Sequence, residues 1–174
     1  LAETQYALSF LARRQRRFMD ARKAMDRALE LAPNDASANF YDAQLLINTG
    51  YTRRGIAQLD RALAIDPLLP NALHWRAEQY LFAGDTDTAE RLWKRASTAG
   101  LSYANVGLSQ VEKARGNYAR ARSLDLPNML ANPDYVACLK NPEVSLSIYL
   151  QGAFGGDAAA RAKALTVINA CLAT

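Results

Sequence analysis

Apolar and polar positions follow a helical pattern over most of the chain. Apolar residues return every three to four positions, in segments that end at short polar turns. The pattern predicts three pairs of helices, at 3–15 with 18–31, 35–49 with 52–65, and 69–83 with 86–99. Typical start signals are Asn34–Asp35 and Pro70, and typical stop signals are Gly50, Gly84 and Gly100. We find no convincing strand pattern, so the sequence predicts an all-α fold.

One segment returns at a fixed distance. Ala28–Pro33 has its counterpart in Ala62–Pro67, and the two prolines are 67 − 33 = 34 residues apart. With Ala2, Ala36 and Pro70 as first residues, small side chains recur at positions 8, 20 and 27 and large apolar ones at position 24: Ser9, Ala43, Ala77; Ala21, Gly55, Ala89; Ala28, Ala62, Ala96; Met25, Leu59, Trp93. Small residues let helix backbones approach closely. A helix pair of this length cannot bury its own apolar face, so it stacks on copies of itself.

These columns resemble those of the tetratricopeptide repeat (TPR) family, which also has proline at position 32. The match covers residues 2–101 and extends weakly to about 124. It departs from the family at position 4, where Gln5, Asn39 and Leu73 replace tryptophan, and Leu101 replaces the third proline. The resemblance implies an α-α superhelix, a TPR-like solenoid of about three to four helix pairs with a C-terminal helical cap.

The later part of the chain is more divergent. A fourth pair is expected to begin near Leu101 and to turn at Gly116–Asn117, with a short second helix from Tyr118 to about Leu124 that Leu126–Pro127 ends. We therefore divide the chain into helical repeats at 1–124 and divergent capping helices at 125–174.

The capping segment has its own helix signals. Asn132–Pro133 and Asn141–Pro142 each resemble an N-cap followed by proline, which predicts helices near 133–140 and at 142–154. A final helix at 158–172 is expected to bury one face: Ala158, Ala162, Leu165, Ile168 and Leu172.

The resemblance also implies a binding surface, because the first helix of each pair lines the concave side of the family's solenoid. The ligand-facing positions carried over from the family are 5, 9, 12 and 13: Tyr6, Phe40, His74; Phe10, Gln44, Glu78; Arg13, Ile47, Leu81; Arg14, Asn48, Phe82. Mixed aromatic and polar groups are typical of binding anchors. The alternative is that Tyr6, Phe10 and Phe40 only pack against neighbouring helices. A terminal-carboxylate ligand is disfavoured, because Tyr6 and Phe10 replace the basic and amide residues that clamp it.

Composition adds few constraints. The chain has 174 residues, half of them apolar, and a net charge of 21 − 17 = +4, which is no nucleic-acid signature. No apolar stretch is long enough to span a membrane.

Arginines are dense at Arg13, Arg14, Arg16 and Arg17 and recur at Arg53, Arg54 and Arg115 near other turns. They form either a solvated face paired with Asp20 or Asp26, or a basic edge that contacts phosphate or anionic lipid.

No motif indicates an enzyme. His74 is the only histidine, no nucleophile or phosphate-loop motif is present, and we expect no cofactor and no metal. Cys138 and Cys171 lack the neighbours of a zinc site, so we interpret them as buried thiols, with a disulfide as the alternative outside the cytoplasm.

The sequence therefore predicts a non-enzymatic scaffold that binds a peptide or protein segment in a groove, without direct nucleic-acid contact. Two alternatives stay open: the repeat-type regulatory domain of a larger bacterial transcription regulator or signalling protein, and a module for self-association. The chain begins at Leu1 without an initiator methionine or signal peptide. We interpret it as part of a longer protein or a mature product. The cytoplasm is favoured, and the periplasm stays open.

Overall fold

A computed structural model describes residues 1–137, 139, 141–155 and 157–172 of the chain. In these residues the chain forms helices connected by short turns, and no strand. The helices are α1 (Ala2–Arg14), α2 (Phe18–Leu31), α3 (Ala36–Asn48), α4 (Thr52–Ile65), α5 (Pro70–Phe82), α6 (Thr86–Thr98), α7 (Ala104–Ala114), α8 (Tyr118–Leu130), α9 (Pro133–Val136), α10 (Pro142–Gly155) and α11 (Ala158–Leu172). The predicted all-α fold is confirmed, and the first six helices agree with their expected bounds to within one residue.

Consecutive helices form antiparallel hairpins that stack. α1 packs on α2, α3 on α4, α5 on α6 and α7 on α8, and each second helix packs on the next first helix. The small residues predicted at positions 8, 20 and 27 are buried, and so are Met25, Leu59 and Trp93 at position 24. The sequence period is therefore the period of the core, in which each large side chain fills the space beside closely approaching backbones.

The turn inside each of the first four hairpins places one residue in the left-handed region. Gly50, Gly84 and Gly116 have φ of 89°, 85° and 78°, and Arg16 occupies the same place in the first hairpin with φ of 60°. Glycine suits this conformation because it has no Cβ to clash with the backbone. From Gly84 to Gly116 the spacing is 116 − 84 = 32, so the fourth hairpin is two residues out of the 34-residue period.

The expected end of α8 at Leu124 was wrong. The helix continues through Pro127 to Leu130. Proline removes one backbone donor and normally breaks a helix. Here α8 packs against α10, and Pro127 lies on its exposed side, so tertiary packing outweighs the local preference. The predicted boundary at 124 lies within this helix, and the division at that residue stays a prediction.

α10 and α11 form a further hairpin with a close crossing. A Cβ on Gly152 would lie 2.3 Å from the Cβ of Ala164, so only glycine permits this approach. Among the described side chains of α11, Ala160 and Ala164 are buried. The expected apolar face was wrong, because Ala158, Ala162 and Leu165 are exposed. α11 packs against α10 through Ala160 and Ala164, because their small side chains allow the closest approach of the two helices.

The expectation for the two cysteines lies outside the described part of the chain. Cys138 and the side chain of Cys171 are not among the described residues, so their pairing stays a prediction. None of the described helices combines the length and the apolar character that crossing a bilayer requires.

Candidate partner-binding surface

Aromatic side chains form a row across the first helices of the first three hairpins. The rings of Tyr6 on α1 and Tyr41 on α3 stack with their centroids 4.9 Å apart. The ring centroids of Tyr41 and Phe40 lie 5.2 Å apart, and the rings of Phe40 and Trp75 on α5 meet edge-on with their centroids 6.5 Å apart. Offset and edge-to-face contacts are the favoured geometries of aromatic rings. The row fixes the relative position of α1, α3 and α5 and leaves part of Tyr6, Tyr41 and Trp75 exposed.

An open depression lies at the α1 end of this row. It has a volume of about 420 Å³ and a mainly apolar lining of Tyr6, Ala7, Phe10, Leu11 and Tyr41. Two guanidinium groups flank it, because the Cζ atoms of Arg13 and Arg14 lie 5.3 and 5.8 Å from the centre of the Phe10 ring. We use the name first-helix face for seven exposed or half-buried residues in and around this row and depression: Tyr6, Phe10, Arg13, Arg14, Tyr41, Gln44 and Trp75.

The predicted site residues differ in what they offer to a ligand. Phe10, Arg14, Asn48 and Phe82 are exposed, and Tyr6, Arg13, Gln44, Ile47, His74, Glu78 and Leu81 are partly buried. Phe40 is a correction, since it is only 4% exposed and packs among Ala43, Leu59 and Ala62. Tyr41, one residue later on α3, is half-buried. Ile47 and Leu81 pack against core clusters and contribute only edges to the surface.

His74 lies among polar and aromatic partners. The indole Nε1–H of Trp93 donates to His74 Nδ1 at 2.8 Å, and His74 Nε2 faces Glu78 Oε1 at 3.5 Å. The ring of Tyr103 meets the imidazole edge-on at 5.2 Å. Burial lowers the pKa of His74 and raises the pKa of Glu78. With Nδ1 accepting, the proton of the neutral imidazole is on Nε2, so His74 holds Trp93 in place.

Tyr41 and Trp75 were missed by reasoning from the sequence. They are 75 − 41 = 34 residues apart, each directly after a residue that was predicted. The repeated aromatic at this spacing was a readable signal. It was overlooked because the ligand positions were carried over from the family's columns, which do not include position 6.

The arginines divide into paired and unpaired groups. Arg17 pairs with Asp20 at 2.7 Å, as the solvated alternative predicted. Arg115 pairs with Asp87 and with Glu90 at 2.6 Å, so it does not extend a basic edge. Asp26 pairs with Arg22 on its own helix, at 2.6 Å, and not with the predicted run.

A polar network lies on the other side of α3. Asp42 is buried, accepts from Arg22 of α2 and accepts from Gln58 Nε2 of α4 at 2.6 Å. Sequence reasoning did not single out these residues, because their 16- and 20-residue separations carry no local signal. The network ties three successive helices together.

The outer side of α1 and α2 forms an end face of the described helices, lined by apolar and polar side chains. Position 7 of α3 and α5 holds Asp42 and Arg76, which pair with Arg22 and Asp60 on the preceding second helix. At the same position α1 has Leu8, which is 48% exposed. Leu8 lines a depression of about 560 Å³ between α1 and α2. This end face is therefore the surface that a further helix would cover.

The described residues contain no group of three or more His, Cys, Asp or Glu arranged to hold a metal ion. The groups that the first-helix face exposes can make apolar contacts, cation–π contacts and hydrogen bonds.

Comparison with known proteins identifies the fold. No protein-family model matches the chain, and no curated protein matches its sequence. Among solved structures, it is similar to a tetratricopeptide repeat protein from Parabacteroides merdae ATCC 43184, with a TM-score of 0.69 and 19% identity over 97% of this chain and 64% of that protein. It is also similar to the MamA protein, with a TM-score of 0.62 and 14% identity over 98% of this chain and 90% of that one. The chain thus spans under two thirds of the length of the first protein.

Proposed function

Because the chain folds as a TPR-like helical solenoid, we propose that it is a non-enzymatic scaffold that holds a peptide or protein segment on the first-helix face. The observation that carries the proposal is the row of partly exposed rings from Tyr6 through Tyr41 to Trp75, with the exposed Phe10 beside it. Aromatic and arginine side chains supply most of the binding energy at protein interfaces.

The geometry supports a ligand of extended shape. The rings come from three different helices, so a partner that contacts all of them must run across the helix axes. Tyr6 and Tyr41 are already stacked and Phe10 already lies against two guanidinium groups, so these side chains lose little rotamer freedom on binding. Such preorganisation lowers the entropic cost of association.

Affinity capture with exposed-residue variants tests the proposal. The purified protein serves as bait in an extract of its source cells, and retained proteins are identified by mass spectrometry. Phe10→Ala and Trp75→Ala should each lose the specific partner, while circular dichroism stays that of the wild type. Tyr51→Ala is the matched control, because Tyr51 is also an exposed aromatic under an arginine but lies outside the first-helix face. Equal retention by all of these proteins would exclude this surface.

Self-association is a second candidate function, favoured by the open end face at Leu8. A complementary surface lies on α11, where Ala158, Ala162 and Leu165 are exposed. Their spacing of four and then three residues is that of Ala21, Met25 and Ala28, which α2 buries in one cluster with residues of α1 and α3. A second copy could therefore place α11 where a preceding second helix would lie, in head-to-tail contact.

Sedimentation velocity at several concentrations tests this second candidate. The wild type should form species larger than a monomer as concentration rises, and Leu8→Glu should abolish them. Leu68→Glu is the control, because Leu68 is also an exposed leucine but lies in the turn between α4 and α5. A monomer at every concentration would exclude self-association and leave the scaffold proposal intact. The regulatory interpretation has no structural observation in its favour and stays a prediction.

A further inference from the structure

The depression on the first-helix face has charges of opposite sign at its two ends. Glu3 lies in the first turn of α1, and Arg13 and Arg14 lie in its last turn. Asp35 is the N-cap of α3, so both carboxylates lie at the starts of the two helices that line the depression. The pKa of Tyr6 is raised by burial and then by the charges of Glu3 and Asp35. The Phe10 end carries the two arginines.

Arg13 and Arg14 differ in their contacts from the arginines that form ion pairs. Arg17, Arg22, Arg27, Arg76 and Arg115 each pair with a carboxylate. Across the part of the chain that the structure describes, no carboxylate lies within ion-pair distance of Arg13 or Arg14; what they contact is the Phe10 ring. Two full positive charges therefore stand beside an exposed apolar surface.

The end of α1 offsets only a small part of this charge. The carbonyl groups at a helix C-terminus act as roughly half a negative charge. The two positive charges of the guanidinium groups are together about four times as large as this partial negative charge. A stacked guanidinium also keeps its N–H groups free at the edge, where they can bind a carboxylate in a bidentate geometry.

We propose that the segment bound here carries an apolar anchor that fills the space between Tyr6, Phe10 and Tyr41, followed by side-chain carboxylates that pair with Arg13 and Arg14. The inference rests on the proposed function of the same face and adds the chemistry of the partner. The carboxylates of Glu3 and Asp35 exclude acidic residues from the opposite end, so the charge pattern also orients the segment.

A peptide fits this surface better than a membrane does. The arginines flank a depression of about 420 Å³ lined by side chains of two helices, α1 and α3. Such a hollow accepts an inserted side chain, whereas a membrane-binding face presents a broad basic plane or an amphipathic helix. Arg54, which stacks on Tyr51 at 5.8 Å, lines a different depression between α2 and α4 and does not join Arg13 and Arg14 in one plane.

A charge-reversal selection tests the inference. A phage-displayed library of random ten-residue peptides is selected against the wild type and against Arg13→Glu/Arg14→Glu. The wild type should enrich peptides with Asp or Glu beside an aromatic or branched apolar residue. The double variant should bind those peptides at least about tenfold more weakly and should select Lys or Arg at the same places.

A second double variant controls for overall charge. Arg53→Glu/Arg54→Glu changes the net charge by the same amount and also removes an arginine from an aromatic ring. It should select the same acidic peptides as the wild type. Thermal unfolding by circular dichroism checks that all three proteins are folded. If the control loses the acidic preference as well, the long-range field and not this pair attracts the peptides, and the inference fails.

The remaining outcomes separate this inference from the proposed function. Selected peptides that need Phe10 but carry no acidic residues would overturn the inference and keep the scaffold function. Peptides that bind independently of both Phe10 and the arginines would overturn both. Arginine-dependent sedimentation with phosphatidylglycerol vesicles, without acidic peptides in the selection, would assign the pair to lipid and also overturn the inference.

Discussion

Arg61 on α4 donates a hydrogen bond to the carbonyl oxygen of Pro33, 3.1 Å away in the turn after α2. The same contact occurs one repeat later, where Arg95 on α6 donates to the carbonyl oxygen of Pro67 at 3.0 Å. Each bond spans 28 residues, and both the arginines and the prolines are 34 residues apart. The sequence period is thus repeated as a contact between adjacent hairpins.

This contact predicts a stability difference among three arginines of one column. Arg61→Met and Arg95→Met should each lower the free energy of unfolding by about 1 kcal/mol, since a carbonyl loses a charged donor. Arg27→Met is the control, because Arg27 has the same position in the first repeat but only an exposed pair with Glu30. It should change stability by less than about 0.5 kcal/mol. Urea denaturation measures all three, and equal effects would contradict the contact's role.

Arg16 predicts a stabilising substitution. A non-glycine residue in the left-handed region is strained by roughly 1 kcal/mol, and Arg16 takes the place that Gly50 and Gly84 fill in the next repeats. Arg16→Gly should therefore raise the free energy of unfolding by roughly 0.5–1 kcal/mol. Gly50→Ala should lower it by a similar amount, because nothing lies within 4 Å of its Cβ position and only the backbone is affected. Thermal and urea unfolding give both values. A destabilising Arg16→Gly would contradict the account.

We predict that a small change at Asp42 lowers the free energy of unfolding strongly. Its side chain is 3% exposed, and removing its charge leaves Arg22 partly buried without its inner partner. Asp42→Asn should cost about 3 kcal/mol. Asp26 contacts the same arginine but is 59% exposed, so Asp26→Asn should cost about 0.5 kcal/mol or less. If both variants unfold at the same urea concentration, the buried network does not join the helices as described.

His74 predicts a dependence of stability on pH. Its pKa is lowered by burial in the folded protein, so the unfolded chain binds more protons below its ordinary pKa of about 6.5. Stability is then fully present above that pH and falls as the pH drops through it. Protonation would also put a hydrogen on Nδ1, where the Trp93 N–H already points.

Urea denaturation at pH 7.5 and pH 5.5 measures this effect. The wild type should be less stable at pH 5.5, and His74→Asn, which keeps an acceptor near Trp93, should show a smaller difference. His74 is the chain's single histidine, so no other imidazole titrates in this range. Glu78 has a raised pKa and contributes stability in the opposite sense, lost as pH rises through that pKa, which makes the difference a lower limit. Identical slopes for the two proteins would exclude His74 as the cause.

The repeat itself could be predicted from the sequence because its physical cause is local and periodic. Small residues such as Ala62 must recur wherever two backbones approach, and Gly50 and Gly84 must recur wherever the chain reverses. The end of α8 could not be predicted in this way. The effect of Pro127 depends on packing against α10, which follows it by more than ten residues and which no local pattern reports.

The residues predicted for the binding surface differ in their exposure, and their role in binding stays a prediction. On α1, the predicted residues Tyr6, Phe10 and Arg13 are exposed or half-buried, and Tyr6 and Phe10 line the depression. On α3, Phe40 lies in the core and Tyr41, the next residue, is half-buried. The repeat position alone does not decide which residue faces the core, since that depends on which neighbouring side chains fill the space between hairpins.

Photo-cross-linking tests the central claim that the first-helix face holds the partner. Benzoylphenylalanine is placed singly at Phe10, at Trp75 and at Tyr51 of the intact protein, which is irradiated with its captured partner. The account predicts cross-links from Phe10 and Trp75 to one short segment of the partner and none from Tyr51. Cross-links from Tyr51 alone, or equal yields at all three positions, would contradict it.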